Sequence, residues 1–149
     1  MSTLLPSFRA PTAGERFFNR VFGLLVGLGL GFSYNNLLQV RGRKSGKTYS
    51  TPINLLELNG VKYLVAPRGH TQWVRNAEAA NEITLKRGSQ RQIYKLRALS
   101  DAEKPPILKA YLDQFKREVQ RYFPVPTGSP PEAFREIAQS YPAFELISK

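Results

Sequence analysis

The dipeptide Asn59-Gly60 constrains the fold of this chain more than any other two residues. Apolar runs flank it on both sides, "TPINLLEL" from Thr51 to Leu58 and "VKYLVA" from Val61 to Ala66. A two-residue hairpin turn that follows the natural twist of its strands needs positive φ at both positions, and Asn-Gly adopts that geometry most readily. The spacing therefore predicts an antiparallel hairpin. Leu37 to Val40, a short apolar run that enters a basic turn, reads as a further strand. Ile83 to Lys86 and Arg91 to Leu99 alternate apolar with polar residues around "RGSQR", which predicts a second hairpin.

The helical signals lie between and after these strands. "PRGH", Pro67 to His70, breaks a strand, and Thr71 stands where it would cap a short helix, "QWVRNAEAAN". Pro105-Pro106 suits the first turn of a helix, where a missing N–H costs nothing. Ile107, Leu108, Tyr111, Leu112, Phe115 and Val119 then recur at helical spacing and leave Lys109, Asp113, Lys116 and Arg117 outside. "SPPE", Ser129 to Glu132, reads as a capping box opening a last helix that Pro142 ends, and "FELI", Phe144 to Ile147, returns as a final strand. Consecutive antiparallel strands with helices at the ends predict an α+β fold around a small barrel. At 149 residues the expectation is one domain. It would comprise an apolar, helical N-terminal segment (1–34), a barrel core (35–99), and C-terminal helices with a final strand (100–149).

Composition narrows the function. With 42% hydrophobic and 11% aromatic residues, the chain is not a disordered one. The absence of cysteine removes disulfides and thiolate metal sites and agrees with a reducing, cytoplasmic compartment. A single histidine removes a His-rich metal centre, so no metal is expected. The formal charge of +11 calls for an anionic partner: nucleic acid, membrane surface or acidic small molecule. Nucleic acid is not expected, because helix-turn-helix, zinc-finger and aromatic RNA-binding signatures are all missing. The uncharged run "VFGLLVGLGLGF", Val21 to Phe32, follows Arg16 and Arg20 and is too short for the roughly 20 residues that span a bilayer. It predicts a glycine-spaced core helix, with peripheral contact to an anionic membrane, on the inner face, as the alternative.

The charge concentrates at Arg41-Gly42-Arg43-Lys44-Ser45-Gly46-Lys47. This is not a P-loop, since the Gly-x-x-x-x-Gly-Lys-Ser/Thr spacing fails and no helix pattern follows. Two flexible glycines, a hydroxyl and several cations suit charge-assisted binding of a phosphate or carboxylates. On these residues alone, a solvated basic turn, which is common, stays open.

Taken with "YLVAPRGHTQWVRNAEA" (Tyr63 to Ala79) and the following "EITLKRG", the segment resembles the deazaflavin-dependent nitroreductase family, split β-barrel proteins that use coenzyme F-420. The shared pattern is Gly-Arg-Lys-Ser-Gly, a proline soon after, a strand ending in Val-Ala, and Trp-x-x-Asn; it covers about Leu37 to Leu99. The resemblance implies an oxidoreductase that moves hydride between the deazaflavin and a small flat acceptor, such as a quinone, nitroaromatic or activated enone. It implies that Arg43 and Lys44 hold the phosphate and glutamate tail, with Ser45 and Gly46 as further donors. Pro52, Val65, Ala66, Pro67, Arg68 and Gly69 would line the ring, and Trp73 and Asn76 would close the site. Tyr111, Tyr122 and His70 are the candidate proton donors. At Pro67 the family often carries a serine, and proline has neither N–H nor hydroxyl to donate. The alternatives are an FMN-dependent split-barrel oxidoreductase and a non-catalytic carrier of a lipid or tetrapyrrole.

Overall fold

A computed structural model describes residues 35–149, with the Asn35 side chain left aside, so the helix expected at 21–32 lies outside the described residues. Seven strands form one antiparallel sheet: β1 (Asn35–Arg41), β2 (Thr48–Asn54), β3 (Leu56–Leu58), β4 (Val61–Val65), β5 (Glu82–Arg87), β6 (Gln90–Ala98) and β7 (Ala143–Ser148). Their order is β2-β1-β5-β6-β7-β4-β3, and the sheet curls into a half-barrel with β2 and β3 as its edges. With its few flanking helices this is the α+β split barrel.

The two predicted hairpins form for the reasons given by their turns. Asn59 and Gly60 take φ of 50° and 81°, and Leu58 pairs with Val61. Gly88 takes φ of 62° in the β5–β6 turn, where Arg87 pairs with Gln90. The run from Thr51 to Leu58 is not one strand, however. Pairing of Arg41 with Thr48 starts β2 three residues earlier, and the chain breaks at Leu55 because β2 pairs with β1 whereas β3 pairs with β4. β7 inserts between β6 and β4, so the last strand joins two parts of the sheet that are distant in sequence.

Alternation along the strands divides the core in two. Leu64 and Phe144 point to the inner cluster with Leu38, Val40, Ile83, Leu85 and Leu96, whereas Val65 and Ala143 point to an outer cluster under the C-terminal segment. Helix α1 (Gln72–Ala80) seals the inner cluster with Val74 and Ala77 and packs on β1 and β5. Thr71 occupies its N-cap position with extended backbone, but its hydroxyl makes no capping bond. The Thr71 amide is instead held by the carbonyl of Gly69 at 2.9 Å in a tight turn, and its hydroxyl is left buried against the cleft described below.

Helix α2 (Lys104–Gln114) starts with the two prolines in its first turn and is followed by a short helix, α3 (Lys116–Val119). All six residues of the predicted apolar stripe are buried, each worth about 1.5–3 kcal/mol on full burial for an aliphatic or phenylalanine side chain. The expected last helix is replaced by two 3₁₀ turns, Pro131–Phe134 and Ala138–Ser140. The capping box fails because the Ser129 amide and hydroxyl both donate to the Pro126 carbonyl, at 3.2 and 2.7 Å. These turns bring Phe134 and Tyr141 into the outer cluster; Tyr141 stacks on Phe123 with centroids 4.4 Å apart and donates its hydroxyl to the Tyr122 carbonyl. That bond fixes the chain where Tyr122 meets the cleft.

Candidate functional site

A cleft of about 790 Å³ opens where β2 faces the end of β4. Its floor is apolar: Pro52 and Ile53 from β2, and the buried Val65 and Ala66 from β4 and the residue after it. Pro67, Arg68 and Thr71 form the rim that leads into α1, which contributes Gln72, Trp73 and Asn76. The opposite wall is Tyr111 of α2 with Glu118 and Val119 of α3 and Tyr122 beyond them. Because a strand advances about 3.3 Å per residue, β2 carries the cleft roughly 20 Å from the basic turn at Thr48 to Asn54.

The basic turn is exposed but tied down by hydrogen bonds. Gly42 N–H donates to the Lys47 carbonyl at 2.7 Å and Gly46 N–H to the Gly42 carbonyl at 3.1 Å, with Gly46 at φ of 73°. A side chain at Gly42 would place its Cβ 2.6 Å from the Tyr49 ring, so the glycine lets that ring lie on the turn. Ser45 Oγ lies 3.3 Å from the Tyr49 hydroxyl and accepts the Lys47 amide at 3.2 Å. The decisive anchor comes from α1. Asn76, only 6% exposed, accepts at Oδ1 both the Arg43 amide (3.1 Å) and Arg43 Nη1 (2.7 Å), while Gln72 Oε1 accepts the same Nη1 at 3.0 Å.

This anchoring leaves positive charge in place and unneutralised. Among the described residues, no carboxylate pairs with Arg41, Arg43, Lys44 or Lys47. The amides of Lys44 and Ser45 likewise donate to no protein group among the described residues. Nearby, the buried Thr71 Oγ1 has no hydrogen-bond partner. Cations beside consecutive amides that no protein group uses have the chemistry of an anion-binding concavity, and the Thr71 hydroxyl is a further donor beside them.

The far end is chemically different. Burial pushes the Tyr111 hydroxyl well above the ordinary tyrosine range; the facing Asn54 side chain opposes that shift, and the charges of Glu118 and Tyr122 add to it. Tyr111 thus stays a protonated hydrogen-bonding group across neutral pH. Arg121 lies 4.8 Å over the Tyr122 ring.

Of the residues expected from sequence, Arg43, Lys44, Ser45, Pro52, Val65, Ala66, Pro67, Arg68, Trp73, Asn76, Tyr111 and Tyr122 line this one cleft. Gly46, Gly69 and His70 do not; Gly46 and Gly69 shape turns at positive φ, and His70 is exposed. Gln72, Tyr49, Asn54 and Glu118 were not anticipated. Gln72 precedes Asn76 by four residues on α1, a helical spacing that places it on the same face, whereas Glu118 reaches the cleft from α3, beyond the break at Phe115. Among the described residues no cluster of His, Cys, Asp or Glu could hold a metal ion, and no helix is long and apolar enough to cross a membrane.

A curled antiparallel half-barrel with a cationic, amide-rich mouth over an apolar floor is a split barrel with an open cleft. Residues 16–123 match the family described as F420H(2)-dependent quinone reductase, and the chain belongs to that family. Membership makes it an oxidoreductase that depends on coenzyme F-420. Among solved structures it is similar to Atu2129, a protein of unknown function from Agrobacterium tumefaciens str. C58 (17% identity, TM-score 0.59); 96% of this chain aligns but spans only 58% of that one. It is similar to the F420-H2 dependent reductase FDR-A (21% identity, TM-score 0.51, covering 76% of this chain and 94% of that one). A heme-binding protein from Mycobacterium smegmatis shares the fold at 11% identity and TM-score 0.51, covering 95% of this chain and 53% of that one. No curated relative matches the sequence significantly.

Proposed function

We propose that this chain, a single catalytic domain, reduces a small flat acceptor, a quinone foremost, with nitroaromatics and activated enones as further substrates of the same site. The observation that carries the reading is the polarity of the cleft: unpaired cations and unused amides at one end, an apolar floor, and hydroxyl groups at the other. The residues present fit an acidic deazaflavin. Arg43 and Lys44, with the Lys44 and Ser45 amides, would hold its phosphate and carboxylates by charge-assisted hydrogen bonds. Asn76 and Gln72 hold Arg43 in position for that task. Pro52, Val65, Ala66 and Pro67 supply an apolar surface for a ring, beside Arg68 and Trp73.

Bound there, the reduced cofactor supplies hydride, so the protein needs to orient, exclude water and manage one proton. Tyr111 and Tyr122 stand at the acceptor end. The raised affinity of Tyr111 for its proton suits it to hydrogen-bond an acceptor carbonyl and makes it a reluctant acid. His70 is exposed and does not line the cleft, so we assign it no part in this step. Pro67 cannot donate a hydrogen bond, which favours quinones, activated by Tyr111, over nitro groups that need a donor beside the ring.

The test is single-turnover oxidation of reduced coenzyme F-420 by the purified protein with a naphthoquinone, a nitroimidazole and cyclohexenone. The quinone should react fastest; a nitro compound reacting faster would overturn the assignment. We also propose a cytoplasmic protein that touches anionic membrane through 21–32, where Arg16 and Arg20 precede the uncharged run. Liposome flotation against a chain starting at Asn35 tests this, and equal flotation of the two would refute it.

A further inference from the structure

Glu118 is the one acidic residue among those lining the cleft, whose other charged side chains are Arg43, Lys44 and Arg68. Its placement is unusual for this protein. The chain has 22 Lys and Arg against 11 Asp and Glu, and Glu118 lies between Arg117 and Arg121 in sequence. Even so, among the described residues it forms no ion pair, whereas Glu82, Asp113 and Glu145 each bridge a cation within 2.8 Å. Its charge instead acts on the Tyr111 hydroxyl, across the break at Phe115 that separates α2 from α3.

Resting on the reading of the cleft given above, we propose that Glu118 sets the charge preference for the acceptor. An unpaired carboxylate beside Tyr111, at the end of β2 opposite the basic turn, repels anionic acceptors and admits neutral or cationic ones. The two ends then sort two ligands by sign: the acidic cofactor is drawn to Arg43 and Lys44, and a negatively charged molecule is kept from occupying the acceptor end. Without such a filter, the cationic mouth would draw any small anion into the cleft. Glu118 is a specificity residue in this account and exchanges no proton.

The test uses protein saturated with oxidised coenzyme F-420, so that the basic end is already filled. Calorimetric titration with 1,4-naphthoquinone and with 1,4-naphthoquinone-2-sulfonate gives two affinities, and kcat/KM with the reduced cofactor gives the same pair kinetically. In Glu118→Gln the sulfonate-to-neutral ratio should rise about two- to fivefold, the size expected of one exposed charge. In Glu118→Lys it should rise further, and the difference among the three proteins should shrink in high salt. Ratios that change by less than about 1.5-fold in both variants, by both measurements, overturn the inference while leaving the deazaflavin reading intact. If the wild type fails to bind coenzyme F-420 in the initial saturation, both readings fall together.

Discussion

Two hairpin turns of this protein have nearly the same recipe, and only one is built into a site. The β1–β2 turn reads Arg41-Gly42-Arg43-Lys44-Ser45-Gly46-Lys47, and the β5–β6 turn reads Lys86-Arg87-Gly88-Ser89-Gln90-Arg91. Both mix glycine, serine and cations, and both join antiparallel strands through a glycine at positive φ. The first is longer, and its Arg43 is held from α1 by Asn76 and Gln72. None of the β5–β6 turn lines the cleft. Composition gives a turn its charge, but a second element must hold that charge still before it can recognise a ligand.

The largest way to break this comparison is to remove the charge from the anchored turn. Arg43→Ala with Lys44→Ala should weaken coenzyme F-420 binding by at least about tenfold, the cost of losing even one charged hydrogen bond at about 1.5–3 kcal/mol. Arg91→Ala in the other turn should change affinity less than about twofold, as surface substitutions away from a site usually do. Fluorescence titration of both variants measures the contrast.

Removing the anchor and keeping the charge should cost less. Asn76→Leu leaves the cations but strands the Arg43 amide and leaves its guanidinium held by Gln72 alone. Affinity should fall roughly tenfold and stability by about 1 kcal/mol, the net worth of a partly buried hydrogen bond. Denaturant melts and the same titration separate the two effects. Raising ionic strength from about 0.05 to about 0.5 M should weaken wild-type binding severalfold and weaken Arg43→Ala/Lys44→Ala binding less, because exposed charges are screened. The smallest effect concerns shape. Gly46→Ala forces a β-carbon into the left-handed region and should cost about 1–2 kcal/mol in stability, read as a lower denaturant midpoint at constant slope.

The sequence carried the strands and α2 because their signals are local. Asn59-Gly60, the alternation around Gly88 and the stripe from Ile107 to Val119 each depend on residues within a few positions of one another. Most of the failures were non-local. Nothing between Thr51 and Leu58 announces that two different partners divide the run at Leu55. The SPPE motif has the right residues for a capping box, but its serine is already bonded back to Pro126. Within the cleft, the basic turn and the Trp-x-x-Asn helix were legible as motifs, yet the bond between Asn76 and Arg43, 33 residues apart, was not. Asn54 and Glu118 were invisible because each gains meaning only beside the buried Tyr111.

The central claim is that the β1–β2 turn is the anion grip of the cofactor. It is tested most directly by titrating wild type and Arg43→Ala/Lys44→Ala with coenzyme F-420 and with a deazaflavin that lacks the phosphate and acidic tail. The double substitution should cost at least about tenfold with the full cofactor and less than about twofold with the truncated one. An equal loss with both ligands, or no loss with either in a normally folded protein, would contradict the account.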